Sequence, residues 1–289
     1  MTAWLVAARP ATLLASVSPV LVGSGLAAGD GVFRWDAFAI TLLTAMLLNV
    51  AVNFANDASD HARGADGVHR IGPPRAVASG LLSSRQVWAG TAVVLALAGA
   101  GGIYLAAISG WVVIAIGAAA VLALLAYTGG PWPYGYHGLG ELFVFGFFGP
   151  AAVVGSRYVH DATIPADAWL LAIPVGLLVT AILVVNNVRD LETDRAAGKR
   201  TLAVLIGRTP TRMLFAVLVL GAFAAIGALG GLGVVDRGAL IALAAVPLAI
   251  GPVRAVATEA EGEGLIAVLK ATARLHLVVG LLLAAGLAL

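Results

Sequence analysis

Long runs of Leu, Ala, Val, Ile and Gly, broken by short polar stretches, dominate this chain from end to end. A helix needs roughly 20 predominantly apolar residues to cross the hydrocarbon core of a bilayer. Nine segments meet that requirement, at about 11–29, 37–57, 86–107, 110–128, 139–157, 168–188, 211–231, 238–257 and 268–288. The third and fourth are separated only by a few residues near Ser109-Gly110. The pattern predicts an all-α polytopic membrane protein with about nine transmembrane helices, folded as a single domain over 1–289.

Two polar breaks stand apart from the rest. Residues 53–75 read NFANDASDHARGADGVHRIGPPR and residues 186–204 read NNVRDLETDRAAGKRTLAV. Together they hold six of the fifteen acids: Asp57, Asp60, Asp66, Asp190, Glu192 and Asp194. They also hold Asn53, Asn56, Asn186 and Asn187. Each follows directly on an apolar run, and ionisable groups at a membrane boundary point to function by default. The two windows form a weak internal repeat: acids at the end of the second span and again at the end of the sixth, each set followed by Arg and Gly. Pseudo-repeated halves at about 1–138 and 139–289 would place a site where they meet.

Composition sharpens this picture. The chain is 61% hydrophobic with a mean hydropathy of +0.99, against the usual 45–50% apolar share of soluble domains. Charged residues are 11% of the chain, so the acidic windows are exceptional within it. There is no cysteine, which excludes disulfides and thiolate metal sites. The pI of about 9.2 reflects a small basic excess whose placement follows membrane topology, so no nucleic-acid partner is expected. With the N-terminus inside, fourteen of the seventeen Lys and Arg fall on the cytoplasmic side, and only Arg34, Arg157 and Arg237 fall outside. This predicts a cytoplasmic N-terminus, an inner (cytoplasmic) membrane location and both acidic windows facing the cytoplasm. No cleavable signal peptide is expected, since Arg9-Pro10 stands ahead of a long span.

If the helices run on into the windows, Asp57 and Asp60 are i,i+3 and Asp190 and Asp194 are i,i+4, spacings that share a helical face. Two facing carboxylate pairs make an oxygen-only site suited to Mg²⁺, which is usually held by one or two carboxylates and completed by substrate phosphate oxygens. Arg63, Arg70, Arg75, Arg189, Arg195, Lys199 and Arg200 lie beside the acids. Alternating acids and bases suit a diphosphate clamped through metal and guanidinium. Ile71-Gly72-Pro73-Pro74-Arg75 is a stiff turn able to hold Arg75 in place. A lipid-soluble diphosphate such as a polyprenyl diphosphate fits such a site, with an apolar surround to shelter an allylic cation. In GGPWPYGYHGLGE at 129–141, Tyr134, Tyr136 and His137, with Tyr127 just before, are either lining of an acceptor pocket or interfacial anchors. Glu141 either caps its helix or meets the substrate. A cation-coupled transporter is the alternative from another class, but transporter sites lie near the midplane, whereas these acids cluster at span ends.

The windows resemble the two motifs of the UbiA-type intramembrane aromatic prenyltransferases, and the resemblance extends over nearly the whole chain. It is carried by Ala8-Arg9-Pro10, by Ser18-Pro19-Val20-Leu21-Val22-Gly23, by NFANDASDHARGAD, RIGPPR and YTGGPWPYGYHGLGE, and by NNVRDLETDRAAGKRTLAV. The details are most similar to the branch acting on 1,4-dihydroxy-2-naphthoate. The resemblance implies a ring of nine helices around a central chamber, and Mg²⁺ held by Asn56, Asp57 and Asp60 with Asp190 and Asp194. It implies transfer from a polyprenyl diphosphate to an aromatic acceptor within the lipid bilayer, with 4-hydroxybenzoate, homogentisate or a porphyrin as alternative acceptors. Asn53, Asn56, Arg63, Asp66, Arg70, Arg75, Tyr134, Asn186, Asn187, Arg189, Lys199 and Arg200 are the expected substrate contacts. The chain departs from the wider family at Gly64, where another acid is usual; the acid here comes later, at Asp66.

Overall fold

In a computed structural model, described for residues 3–65, 72, 74–258 and 262–289, the apolar runs are helices and the described residues contain no strand. A short α1 (Ala3–Ala8) precedes α2 (Pro10–Gly29), α3 (Trp35–Ala62), α4 (Ser84–Ser109) and α5 (Val112–Thr128). A 3-10 turn at Tyr134–Tyr136 leads to α6 (Gly140–Gly146), which runs through a π-helical turn at Phe147–Ala151 into α7 (Ala152–Asp161). Then come α8 (Ala166–Ala196), a short α9 (Leu202–Ile206), α10 (Arg208–Gly231), a 3-10 stretch Arg237–Ala245 continuing as α11 (Val246–Ala257), and α12 (Glu263–Leu287). Among the described residues, eight helical spans are long and apolar enough to cross a membrane, and α5 is a shorter apolar helix of 17 residues. The nine apolar segments expected from the hydropathy pattern fall within these helices.

Two of those segments are not α-helical throughout. Pro150 has no N–H and its ring clashes with the carbonyl four residues back. The π turn widens the helix at that point. Pro247 and Pro252 bear on the other, where a tight 3-10 stretch feeds α11. The start of α4 obeys local chemistry: Ser83 and Gln86 form a reciprocal capping box, with Gln86 N–H donating to Ser83 Oγ at 3.3 Å and Ser83 N–H to Gln86 Oε1 at 2.8 Å.

At 28 and 31 residues, α3 and α8 are the longest helices. At ~1.5 Å per residue they are about 42 and 46 Å long, well over a hydrocarbon core of roughly 30 Å. Their final turns carry Asp57 and Asp60, and Asp190 and Asp194, so these four acids ride on extensions of the spans.

Packing differs between the two halves. Leu171, Val175, Leu178, Val184, Val185 and Val188 of α8 form a continuous core with Phe215, Val219 and Ile226 of α10 and Leu275, Val279 and Leu283 of α12. Residues of α3–α5 on one side and α6–α8 on the other line a chamber of about 860 Å³. That lies within the roughly 300–1,000 Å³ span of ligand sites. The seam between α2 and α12 is shut by small residues. A Cβ on Gly25 would fall 2.5 Å from Ala284 Cα, and one on Gly280 would fall 2.6 Å from Ser18 Cβ. Small residues let backbones approach closely where lipid offers no hydrophobic drive for association.

Gly25→Ala is therefore expected to lower the melting temperature of the detergent-solubilised protein, at about 1–3 kcal/mol for an overpacked contact. Gly227 in α10 has nothing within 4 Å of an added Cβ. Gly227→Ala should leave stability unchanged or raise it by up to ~1 kcal/mol through helix propensity. Equal melting temperatures for the two variants would contradict the close α2–α12 contact.

Candidate active site

Asn49, Asn53, Asn56 and Asp60 follow one another at spacings of four, three and four along α3, so they form one polar stripe along the helix. Its membrane-side end is tied to the joint between α1 and α2. Asn49 Nδ2 donates to the Thr12 carbonyl at 3.2 Å, and Asn53 Nδ2 to the Ala8 carbonyl at 2.8 Å and to Thr12 Oγ1 at 2.9 Å. The Ala8 carbonyl ends α1, where Arg9, with φ 49°, turns the chain between the two helices. Asn56 accepts at Oδ1 from Thr128 Oγ1 at 2.9 Å, linking α3 to the end of α5.

Asp60 ends the stripe and is only 2% exposed. Three segments converge on it. Tyr136 Oη donates to Asp60 Oδ1 at 2.9 Å, Arg75 Nη2 lies 3.3 Å from Oδ2, and Lys199 Nζ lies 3.8 Å from the same oxygen. Lys199 and the Arg63 guanidinium lie 5.1 and 5.4 Å from the centre of the Tyr136 ring, within cation–π range. Burial, reinforced by the charge of Asp60 and the hydrogen bond to it, holds the Tyr136 phenol well above its ordinary pKa. Burial alone raises the Tyr134 phenol too, and its ring stacks on Phe143 with centroids 3.9 Å apart.

The second window comes from the end of α8. Asn187 Nδ2 donates to Glu141 Oε1 at 2.9 Å. Arg189 grips Asp190 through Nε and Nη2 at 2.7 and 2.6 Å and reaches Asn186 Oδ1 at 2.8 Å. Past the helix end, Lys199 N–H returns to the Asp194 carbonyl at 2.8 Å, and Gly198, at φ 72°, makes the left-handed turn this requires. Arg200 N–H donates to the Tyr136 carbonyl at 3.2 Å, joining this loop to the aromatic one.

Of the residues expected from sequence, Asn56, Asp60, Arg75, Tyr134, Asn186, Asn187, Asp190, Asp194 and Lys199 all line the chamber. Five do not, each for a visible reason. Asp57 is fully buried outside the lining, its carboxylate accepting from the backbone N–H groups of Ala76 and Val77. The face shared with Asp60 is that of Asn56, at i,i+4, and not that of Asp57 at i,i+3. Asn53 serves the α1–α2 joint. Arg63 donates to the carbonyls of Thr128 and Gly130 at 3.0 and 2.6 Å. Arg189 stands behind Asp190, and the Arg200 side chain is exposed. Asp66 and Arg70 lie outside the described residues. His137 stacks on Trp132 instead of entering the chamber, while Tyr127 lines it.

Arg9, Asn49 and Thr193 also line the chamber without having been singled out as site residues. Asn49 was findable as the next member of the Asn stripe, and Arg9 as a cation directly ahead of the first span. Beyond this polar end the walls are apolar, formed by residues such as Leu48, Leu95, Val121, Phe147, Phe148 and Leu183.

The donor set can be tested against a hard cation. Among the described residues, no three His, Cys, Asp or Glu side chains come together as a cage. Asn56, Asp60, Asp190 and Asp194 instead present oxygens around one end of the chamber, with Asp60 and Asp190 paired to basic side chains. Such a set fits Mg²⁺ that shares its coordination with the oxygens of an anionic ligand.

Known proteins agree with this architecture. The chain is 40% identical over 286 residues to a 1,4-dihydroxy-2-naphthoate octaprenyltransferase of Mycobacterium tuberculosis, covering 99% of this chain and 96% of that protein. It is 32% identical to the Escherichia coli protein of the same name, covering 99% and 94%. The structure of a UbiA homolog from Archaeoglobus fulgidus bound to GPP and Mg²⁺ superposes with a TM-score of 0.66 at 17% identity, over 98% of this chain and 99% of that one. Residues 16–287 match the UbiA prenyltransferase family, and the chain belongs to it.

Proposed function

We propose that this protein transfers a polyprenyl group from a polyprenyl diphosphate to 1,4-dihydroxy-2-naphthoate, releasing diphosphate and CO₂, the prenylation step of menaquinone synthesis. The observation that carries this reading is a chamber with a charged end built around Asp60 and an apolar remainder, in a chain 40% identical to a protein named for that reaction.

The polar end binds the diphosphate. Arg75 and Lys199, both against Asp60, offer cationic donors to phosphate oxygens, and Arg9 lies on the same lining. Asn56, Asp60, Asp190 and Asp194 would hold Mg²⁺, which when bound neutralises charge developing on the leaving diphosphate. Donors fixed before the C–O bond breaks favour the charge-separated state, because they need no reorganisation as it forms. The apolar walls take the prenyl chain and keep water from the allylic cation. Tyr127, Tyr134, Phe143 and Phe147 offer aromatic faces that stabilise such a cation. Attack by the ring carbon bearing the carboxylate forms the new C–C bond as the C–O bond to diphosphate breaks. Loss of that carboxylate as CO₂ then returns its electron pair to the ring and restores aromaticity, with no proton transfer at the ring carbon. The fourteen-to-three distribution of Lys and Arg supports a cytoplasmic site.

EDTA should abolish turnover and Mg²⁺ restore it, and full activity in metal-free buffer would exclude the proposed metal role. Asp60→Asn and Asp190→Asn should each lower kcat/KM by about 10²-fold or more while the protein stays folded. Carboxyl-labelled naphthoate should release labelled CO₂ in step with prenylated product; a product keeping its carboxylate, or preference for 4-hydroxybenzoate, would move the chain to another acceptor. Because the chain has no cysteine, Ala196→Cys should label from the cytoplasmic side and Thr163→Cys from the opposite side. Reversed labelling would invert the proposed orientation.

A further inference from the structure

Asp57 lies three residues before Asp60 on the same helix and is 0% exposed, yet its carboxylate faces away from the chamber. Oδ2 accepts the Ala76 N–H at 2.9 Å and Oδ1 the Val77 N–H at 3.1 Å. These two amides open a compact turn in which Ser79 N–H returns to the Arg75 carbonyl at 3.0 Å, Gly80 N–H to that of Val77 at 3.0 Å, and Leu82 N–H to that of Ala76 at 3.1 Å. A carboxylate on the leading N–H groups of such a turn does what an anion does at a helix N-terminus, satisfying donors that the turn itself leaves open. The surroundings are otherwise apolar, with Phe54, Ala58, Ala76, Val77 and Leu82 in one buried cluster. In that setting a carboxylate accepting two amides is held firmly, because either partner alone would be a buried unsatisfied group.

The residue immediately before these amides is Arg75, whose guanidinium meets Asp60. One turn of α3 therefore holds the same segment twice, by its backbone through Asp57 and by its side chain through Asp60. We propose that Asp57 is a positioning residue: it anchors the turn at 76–80 to α3 so that Arg75 is presented to the diphosphate, and it does not coordinate the metal. The consequence for turnover rests on the prenyl-transfer reading above; the anchoring does not.

Hydrogen–deuterium exchange on the wild-type protein tests the anchor without any substitution. The amides of Ala76 and Val77 should be protected in the free protein and stay protected when Mg²⁺ and geranyl diphosphate are added. Loss of protection on their addition would show Asp57 turning to the metal and would overturn the proposal. A nitroxide on Ala78→Cys, an exposed position in the turn, gives a second readout. Asp57→Asn should mobilise the label while Asp60→Asn leaves it fixed; an immobile label in Asp57→Asn overturns the anchor. Mn²⁺ uptake in the presence of geranyl diphosphate should be unchanged within about twofold in Asp57→Asn and lost in Asp60→Asn, whereas equal loss in both would make Asp57 a ligand. In turnover, Asp57→Asn should raise KM for the prenyl diphosphate about tenfold with little change in kcat, and adding it to Arg75→Ala should do no further harm. If no prenyl transfer is found at all, the function is wrong, while exchange, label mobility and Mn²⁺ uptake still decide the role of Asp57.

Discussion

A carboxylate taken out of water must find partners, and at Asp60 that requirement assembles the site. An uncompensated buried charge is penalised by several kcal/mol. Arg63, at the end of α3, is turned to the carbonyls of Thr128 and Gly130, and Arg75, Lys199 and Tyr136 come from three separate connections to meet one 2%-exposed side chain. The side chains that three segments bring to this end of the chamber thereby answer one shared electrostatic demand. The cations that neutralise Asp60 also line the chamber.

The division of labour between the halves follows from packing. Interiors are close-packed, and a chamber of about 860 Å³ is an exception that must be supported from elsewhere. Here α8, α10 and α12 form a continuous core, while α3, α4 and α5 line the open volume together with α6 to α8. The Asn stripe of α3 could not face lipid. It is satisfied by the backbone carbonyls of Ala8 and Thr12 at the α1–α2 joint and by Thr128 at the end of α5, so the polar groups that line the cavity also fix the position of the helix that carries them.

Asp57 and Asp60 show how environment assigns roles to identical side chains. One meets two backbone amides in an apolar cluster, the other two cations and a phenol at the chamber wall. Successive helical positions are turned by about 100°, so a motif read as a string of acids is read by the fold as groups on different faces. The second window behaves likewise: Asp190 and Asp194 face the chamber, while Arg189, adjacent in sequence, stands behind and orients Asp190 and Asn186.

The positions of the spans were determined by the sequence alone, because a bilayer demands an unbroken apolar helix wherever the backbone crosses it, and that demand is written directly in hydropathy. The placement of acids at the ends of α3 and α8 was equally legible, as were the family and the pairing of Arg75 and Lys199 with that chemistry. The tertiary structure decided what depends on neighbours distant in the chain. It turned Asp57 to the amides of Ala76 and Val77, gave Arg63 to the carbonyls of Thr128 and Gly130, and brought Arg9 and Asn49 to the chamber wall. Hydropathy and spacing carry no information on these choices, since a side chain of given chemistry takes whichever partner the folded backbone sets within hydrogen-bonding reach.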